Sequence, residues 1–331
     1  MAEGGIAQPI AKGEERPLID EVAGTSLHAV IFKDNHKLIN CENLRHTKKN
    51  ISLSAYDEQT MKNVRILLIT FLTGITSLTM SCNPTVKQNE QSVTSDEALE
   101  GKKVLYLYGG WEGHEPEQCR DLFVPWLKAE GAEVFVYDNL NCYSDSALME
   151  RVDLVIQHFT QGEITPAQEK ALLNAVRNGT GLAGWHGGTG DSFRSNVEFQ
   201  YMVGGQWVAH PGNIITYEVN IIDQKDPVTA GLNNFSMQSE QYFMHVDPNV
   251  KVLATTTFSG EHNNWIEGAV MPVVWKKSYG KGRVFYSSLG HVAKDFEVAE
   301  ALEIMKRGIR WAAQSKAEGP DQWLSPLYPS R

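Results

Sequence analysis

Cysteine is scarce in this sequence and never occurs in a paired spacing. The 331 residues contain four cysteines, Cys41, Cys82, Cys119 and Cys142, and no C-x-x-C motif. This pattern argues against a disulfide framework and against a structural zinc site. Pairing of Cys119 with Cys142 in an oxidising compartment stays open on sequence grounds.

The chain also lacks an excess of basic charge. Lys and Arg total 30 against 40 Asp and Glu, which gives a formal net charge of -10. Because phosphate backbones are bound by basic faces, nucleic acid is excluded as a partner. The hydrophobic fraction of 42% is ordinary for a chain with a sizeable core, so a small neutral or metal-bound ligand fits this composition better.

No apolar run is long enough for an ordinary membrane helix. The longest, Ile66–Met80, is shorter than the roughly 20 residues that a span needs. A basic start at Met61–Arg65 precedes it and Ser81-Cys82 follows, an order that resembles a bacterial lipoprotein signal over residues 61–81. We expect Cys82 to be lipidated and the protein to be a periplasmic or outer-membrane lipoprotein of the cell envelope, held to the membrane through this anchor only. A signal anchor that stays in place is the alternative.

The residues around this signal show little sign of folded structure. Residues 1–60 have no sustained helical or strand period, and we interpret them as an upstream extension without a role, with translation starting at Met61. Residues 82–101 are polar and rich in Gln, Ser and Glu, which is typical of a flexible tether. The folded domain is therefore expected over residues 102–331, with Ser315–Arg331 as a docked tail.

From Lys102 onward, apolar strand runs alternate with amphipathic helices. This order predicts an α/β fold with a mostly parallel sheet that is covered on both faces. A hairpin of Val273–Lys277 and Arg283–Ser288 adds antiparallel strands. The other expected strands are Lys103–Tyr108, Glu133–Tyr137, Asp153–Gln157, the segment before His186, Thr216–Ile222 and Lys251–Thr256, and the expected helices are Gln118–Glu130, Thr165–Asn178, Ser195–Val203 and Phe296–Gln314.

Histidines follow several of these strands. His186 stands among Gly184, Gly187 and Gly188 at the end of one, while His114 and His291 follow two others. The carboxyl ends of parallel strands meet at one edge of a sheet, so we expect these three histidines to approach each other. From the sequence alone, His158 and His245 can each be a site residue or a core residue.

Imidazoles beside a carboxylate suit either proton transfer or metal-assisted chemistry. Glu112, Asp191 and Glu240 are the candidate carboxylates. No H-x-x-x-H pair occurs, so a metal would have to be bound by ligands from distant loops. A divalent ion such as zinc is the cofactor that these ligand types admit.

Five motifs, taken in order, resemble the ThuA-like (trehalose utilisation) family over Lys102–Ala313. They are Gly110-Trp-Glu-Gly-His114, Gly184-Trp-His-Gly-Gly188, Gly204-Gly-Gln-Trp-Val-Ala-His-Pro211, Ser239-Glu-Gln-Tyr242 and Gly282-Arg-Val-Phe-Tyr-Ser-Ser-Leu-Gly-His291. The resemblance implies the class I glutamine amidotransferase-like superfamily and a flavodoxin-like three-layer α/β/α fold. Amidotransferases carry a nucleophilic cysteine after the strand where this chain has Trp185-His186-Gly187, so glutamine hydrolysis is not expected.

The resemblance also implies a role in the use of disaccharides, alongside sugar dehydrogenases that produce 3-keto sugars. A hydrolase or lyase acting on a sugar or 3-keto glycoside is the first hypothesis, and a non-catalytic module that binds carbohydrate is the second. The expected catalytic residues are His186, Glu240 and His291; the expected substrate-binding residues are Trp111, His114, Trp185, Asp191 and His210; and the expected metal ligands are His114, His186 and His210.

Overall fold

Alternating strands and helices from Lys103 onward build a nine-stranded sheet between two helical layers. The structure, a computed structural model, describes residues 98–319. The predicted extension, signal, tether to residue 97 and end of the tail at 320–331 lie outside the described residues. Within residues 98–319, no helix has the length and apolarity that crossing a membrane requires.

The strands agree closely with the periodicity of the sequence. The strand order in the sheet is β2-β1-β3-β4-β11-β10-β9-β6-β7, and a separate antiparallel pair is formed by β5 and β8. The strands are β1 Lys103–Gly110, β2 Glu133–Tyr137, β3 Leu154–Thr160, β4 Gly181–Trp185, β5 Gly205–Ala209, β6 Ile214–Ile221, β7 Phe235–Glu240, β8 Phe243–Val246, β9 Lys251–Thr257, β10 Val270–Tyr279 and β11 Gly282–Ser287.

Strand direction decides which residues meet at the carboxyl edge. The strands β2, β1, β3, β4 and β11 are parallel to one another. The remaining neighbours pair antiparallel, so β10 and β6 run in the opposite direction while β9 and β7 run with the parallel set. The carboxyl end of β7 therefore lies on the same side of the sheet as those of β1, β3, β4 and β11.

Helices cover both faces, as the sequence predicts, and the three-layer expectation is confirmed. Helices α1 and α6 pack on one face, and α2, α3 and α5 pack on the other. Thr165 caps α3 in a capping box with Gln168, and Pro125 lies inside α1. The helices are α1 Pro116–Ala129, α2 Ser146–Arg151, α3 Pro166–Arg177, α4 His186–Gly190, α5 Val197–Val203, α6 Ala299–Ala313 and α7 Ser315–Glu318.

The structure adds two features that the sequence leaves open. The glycine-rich segment 204–212 contains β5, which pairs with β8. Cys119 and Cys142 are both free and buried, and they belong to core clusters on opposite faces of the sheet. The sheet therefore separates the two thiols, and they do not form a disulfide.

Candidate active site

His186 occupies the turn that follows β4. Its φ is +45°, a left-handed conformation that is uncommon for any residue but glycine, and its side chain is fully buried. A Cβ on Gly187 would lie 2.2 Å from His114 Cε1, and one on Gly188 would lie 2.1 Å from His158 Nδ1. The glycines that flank His186 are therefore required for other imidazoles to approach this turn.

Glu240 at the end of β7 lies at the centre of the histidines. Its Oε2 is 3.1 Å from His186 Nε2 and 3.3 Å from His291 Nδ1. Its Oε1 is 3.6 Å from His210 Nε2. One carboxylate is thus surrounded by three imidazoles that come from separate parts of the chain.

The structure brings His114 to the same centre. Its ring centroid lies 4.8 Å from that of His186 and 5.3 Å from that of His291. The 3-10 turn Glu112–His114 that follows β1 supplies this residue. The three histidines that follow parallel strands therefore meet, as the parallel topology requires.

Hydrogen bonds fix the orientation of two of these rings. His186 Nδ1 lies 2.8 Å from the carbonyl oxygen of Ser288, and His114 Nδ1 lies 2.7 Å from Thr160 Oγ1. A carbonyl oxygen only accepts, so His186 Nδ1 carries the hydrogen and donates it. Thr160 and Ser288 are not among the predicted site residues, because nothing in a single sequence marks a residue that supports a histidine through one hydrogen bond.

Burial keeps the imidazoles of His114 and His186 neutral. Burial, together with the neighbouring rings of His186 and His291, lowers the pKa of His114 to about 2. Burial also lowers the pKa of His186, against the opposing effect of Glu240. The centre is a carboxylate beside the neutral rings of His114 and His186.

A small pocket opens next to this centre. Its volume is about 130 Å³, and Trp111, half of whose surface is exposed, forms part of its wall. His210 stacks near Trp207 and Tyr242, with ring centroids 5.4 and 6.3 Å away. The residues lining the pocket are Trp111, His114, Gln161, Asp191, Trp207, His210, Glu240 and Tyr242.

Three further residues complete the surroundings. Asp191 forms an ion pair with Arg194, whose guanidinium lies 5.0 Å from the ring centre of Trp207. Tyr242 stacks on His186 at 3.8 Å between ring centroids. His291 lines a neighbouring cavity of about 630 Å³.

Trp185 does not belong to the pocket, which corrects its expected role in substrate binding. It is fully buried in the core and stacks on His158 at 4.3 Å, so neither face is available to a sugar. His158 is likewise a core residue, and both of its ring nitrogens lack a hydrogen-bond partner. His245 is exposed on β8, away from the cluster.

The expected metal-ligand set also changes. Among the described residues, His114, His186, Glu240 and His291 each offer one ligand atom, and these atoms all lie within 4.8 Å of one another. His210 is not one of the four, because it approaches the opposite carboxylate oxygen of Glu240. This cluster contains His114 and His186 from the set expected from sequence, adds Glu240 and His291, and does not contain His210.

Within residues 98–319, no cysteine is available as a nucleophile at the turn after β4. Cys119 and Cys142 are buried in the core, and burial raises the pKa of each thiol to about 12. Thiolates are the reactive form, so both residues are poor nucleophiles at neutral pH. This agrees with the presence of His186 where an amidotransferase has cysteine.

Comparison with known proteins gives the family. Two solved structures of ThuA-like proteins share the fold at 19% sequence identity each. That from Bacteroides uniformis has a TM-score of 0.56 and covers 64% of this chain and 91% of its own, and that from Parabacteroides merdae has a TM-score of 0.54 and covers 68% and 93%. No curated protein matches the chain. The model of the ThuA family, described as trehalose utilisation, matches residues 103–312, and this chain belongs to that family.

Proposed function

We propose that this protein is a cell-envelope enzyme that acts on a sugar or an oxidised (3-keto) glycoside, without a cysteine nucleophile. The observation that carries the proposal is the convergence of four imidazoles on Glu240 beside a pocket with exposed aromatic walls. Convergent titratable groups in a cleft are typical of acid–base catalysis. The family's link with trehalose utilisation supports a carbohydrate as the substrate.

A 3-keto glycoside suits this centre because of its own chemistry. The C3 carbonyl acidifies the hydrogen on C2, so a base can remove that proton and leave an enolate. When the carbonyl re-forms, a C1–C2 double bond forms, the C1–O bond breaks, and the departing oxygen accepts a proton. The reaction needs one base and one acid but no covalent enzyme intermediate.

Exposure decides which groups can exchange protons with the substrate. His186 is fully buried, so it positions Glu240 rather than contacting the sugar. His210 and Glu240 Oε1 face each other at 3.6 Å on the pocket wall, and we assign proton transfer to this pair. His291 Nδ1 contacts Oε2, the other carboxylate oxygen of Glu240, at 3.3 Å. Trp111 and Trp207 offer aromatic surface to a sugar ring.

The location and partners form part of the same proposal. The signal-like segment 61–81 and Cys82 support a lipid anchor in the cell envelope. A 3-keto substrate must come from an enzyme that oxidises a sugar hydroxyl, so a sugar dehydrogenase acts before this protein.

A turnover assay tests the proposal. Purified protein is incubated with matched pairs of glycosides and their 3-keto forms, and the release of the aglycone is followed. We expect turnover that falls by about 10²- to 10⁴-fold in Glu240→Gln and His210→Ala. His245→Ala, which alters an exposed histidine outside the cluster, is the matched control and should behave as wild type.

The alternative is a carbohydrate-binding module without catalysis. Calorimetric binding of the same sugars with no product from any of them would favour that module and contradict the enzyme. Full turnover by Glu240→Gln would instead place the chemistry elsewhere in the protein.

A further inference from the structure

The hydrogen-bond pattern of His186 leaves an unusual contact at its other nitrogen. Nδ1 donates to the Ser288 carbonyl, so Nε2 of the neutral ring has only a lone pair to offer. That lone pair faces Glu240 Oε2 at 3.1 Å. A carboxylate oxygen is also an acceptor, and two acceptors attract each other only through a cation or an additional proton between them.

His291 places a second ring nitrogen at the same oxygen. Its Nδ1 lies 3.3 Å from Glu240 Oε2, yet it is buried and makes no hydrogen bond of good geometry. Two ring nitrogens therefore point at one carboxylate oxygen from different directions. A metal ion between them would bind both ring nitrogens and the carboxylate oxygen at once.

His114 offers a third nitrogen ligand atom near Glu240 Oε2. Thr160 binds its Nδ1, so Nε2 is the ring atom that it can offer. Bonds from metal to imidazole nitrogen or carboxylate oxygen are about 2.0–2.2 Å, so ligand atoms around one ion lie about 3–4 Å apart. The four ligand atoms, within 4.8 Å of one another, need only a small contraction to reach this geometry.

We propose that His114, His186, Glu240 and His291 bind one divalent transition-metal ion. Three imidazoles and one carboxylate are ligands that suit Zn²⁺ and its neighbours in the first transition row. The hydrogen bonds from the distal ring nitrogens of His114 and His186 to Thr160 Oγ1 and to the Ser288 carbonyl oxygen are the outer contacts that metal-bound histidines usually have. A cation also offsets the cost of burying the Glu240 carboxylate.

The metal site adds a Lewis acid to the proposed function. The chemical role of the ion rests on the proposed function, but its binding does not. Bound at this centre, the ion would act as a Lewis acid toward the carbonyl oxygen of a 3-keto sugar. His210 lies outside the ligand set, so it stays available for proton transfer. Occupancy of the site does not depend on which substrate is used.

Metal titration of the full-length protein tests the proposal without any substrate. Protein stripped with a chelator is titrated with Zn²⁺ by calorimetry and with Co²⁺ by absorption spectroscopy. We expect one ion per chain and a Co²⁺ spectrum typical of nitrogen and oxygen ligands. Binding should weaken at least 100-fold in Glu240→Gln and His291→Ala, and it should be unchanged in His245→Ala and His210→Ala.

Thr160→Val gives a finer test because it keeps the side-chain shape and removes only the hydroxyl beside His114. We expect its metal affinity to fall about 10- to 100-fold, as for other outer contacts of metal ligands. Absence of stoichiometric binding by folded wild type, or binding unaffected by Glu240→Gln and His291→Ala, would overturn the proposal. Loss of binding in His210→Ala would overturn the assigned ligand set. A metal-binding protein that turns over no glycoside would refute the proposed function alone.

Discussion

At the scale of single residues, two tryptophans of neighbouring motifs have opposite roles. Trp111 lies on the pocket wall with 49% of its surface exposed, while Trp185 is fully enclosed by aromatic core residues such as Phe123 and His158. Sequence alone does not separate them, because every residue of β4 is buried and the strand shows no alternation. Only the structure distinguishes a core ring from a pocket ring here.

Substitution of the two tryptophans by alanine should separate stability from binding. Trp185→Ala removes a large core side chain, so we expect a loss of about 3–5 kcal/mol in the free energy of unfolding. Trp111→Ala should change that free energy by less than about 0.5 kcal/mol but weaken sugar binding. Urea denaturation and calorimetry measure the two effects. A stable Trp185→Ala variant with weakened sugar binding would contradict this division.

At the scale of secondary-structure elements, one buried carboxylate joins two segments of the site. Asp295 accepts hydrogen bonds from the Ser239 hydroxyl and from the backbone N–H of His291. Ser239 precedes Glu240 on β7, and His291 follows β11. Asp295 therefore fixes the distance between the carboxylate of Glu240 and the ring of His291 without lying between them.

Asp295→Ala should loosen the His291 segment relative to β7. We expect kcat to fall while KM changes little, because the segment positions the centre rather than the sugar. Two hydrogen bonds to a charged group are lost, so the free energy of unfolding should fall by about 1–3 kcal/mol. Steady-state kinetics and denaturation are the measurements. Asp295→Asn keeps an acceptor oxygen and should recover part of kcat; equal loss in both variants would contradict a positioning role.

The sequence predicted most of the elements but not the one that carries Glu240. The capping box at Thr165 and the hairpin before His291 have strong local signals, and both are present. The segment Phe235–Glu240 is short and half polar, although its buried positions Phe235, Met237 and Ser239 do alternate. Its position beside β6, and hence the approach of Glu240 to the histidines, comes from tertiary pairing that no local pattern encodes.

At the scale of the whole molecule, buried histidines make stability depend on pH. Burial lowers the pKa of His158 to about 3, whereas in an unfolded chain a histidine titrates near pH 6.5. Between these values the unfolded state binds more protons than the folded state. The stabilisation is therefore complete above about pH 6.5 and is lost as the pH falls toward 3.

We expect the free energy of unfolding to fall below pH 6.5 by up to about 1.4 kcal/mol per pH unit for each such histidine. His158→Leu removes one of these groups. It should reduce the slope of the free energy of unfolding against pH by the contribution of about one proton. Denaturation curves at a series of pH values measure both slopes. Equal slopes for wild type and His158→Leu would contradict the neutral, buried state of His158.

The convergence of the site follows from topology more than from any one motif. Parallel strand order predicts that His114, His186 and His291 meet, and they do. It does not predict which oxygen of Glu240 each ring approaches, so the sequence does not separate His210 from the four residues whose ligand atoms cluster. Those contacts depend on side-chain geometry within a few ångströms.

The central claim is that Glu240 and its histidines work as one centre, and a double-mutant cycle tests it most directly. The value of kcat/KM on a 3-keto glycoside is measured for Glu240→Gln, His291→Ala and the combined variant. The account predicts that the double variant is at most about tenfold slower than the slower single variant, because residues of one unit are not additive. Losses that simply multiply would show two independent groups and contradict the account.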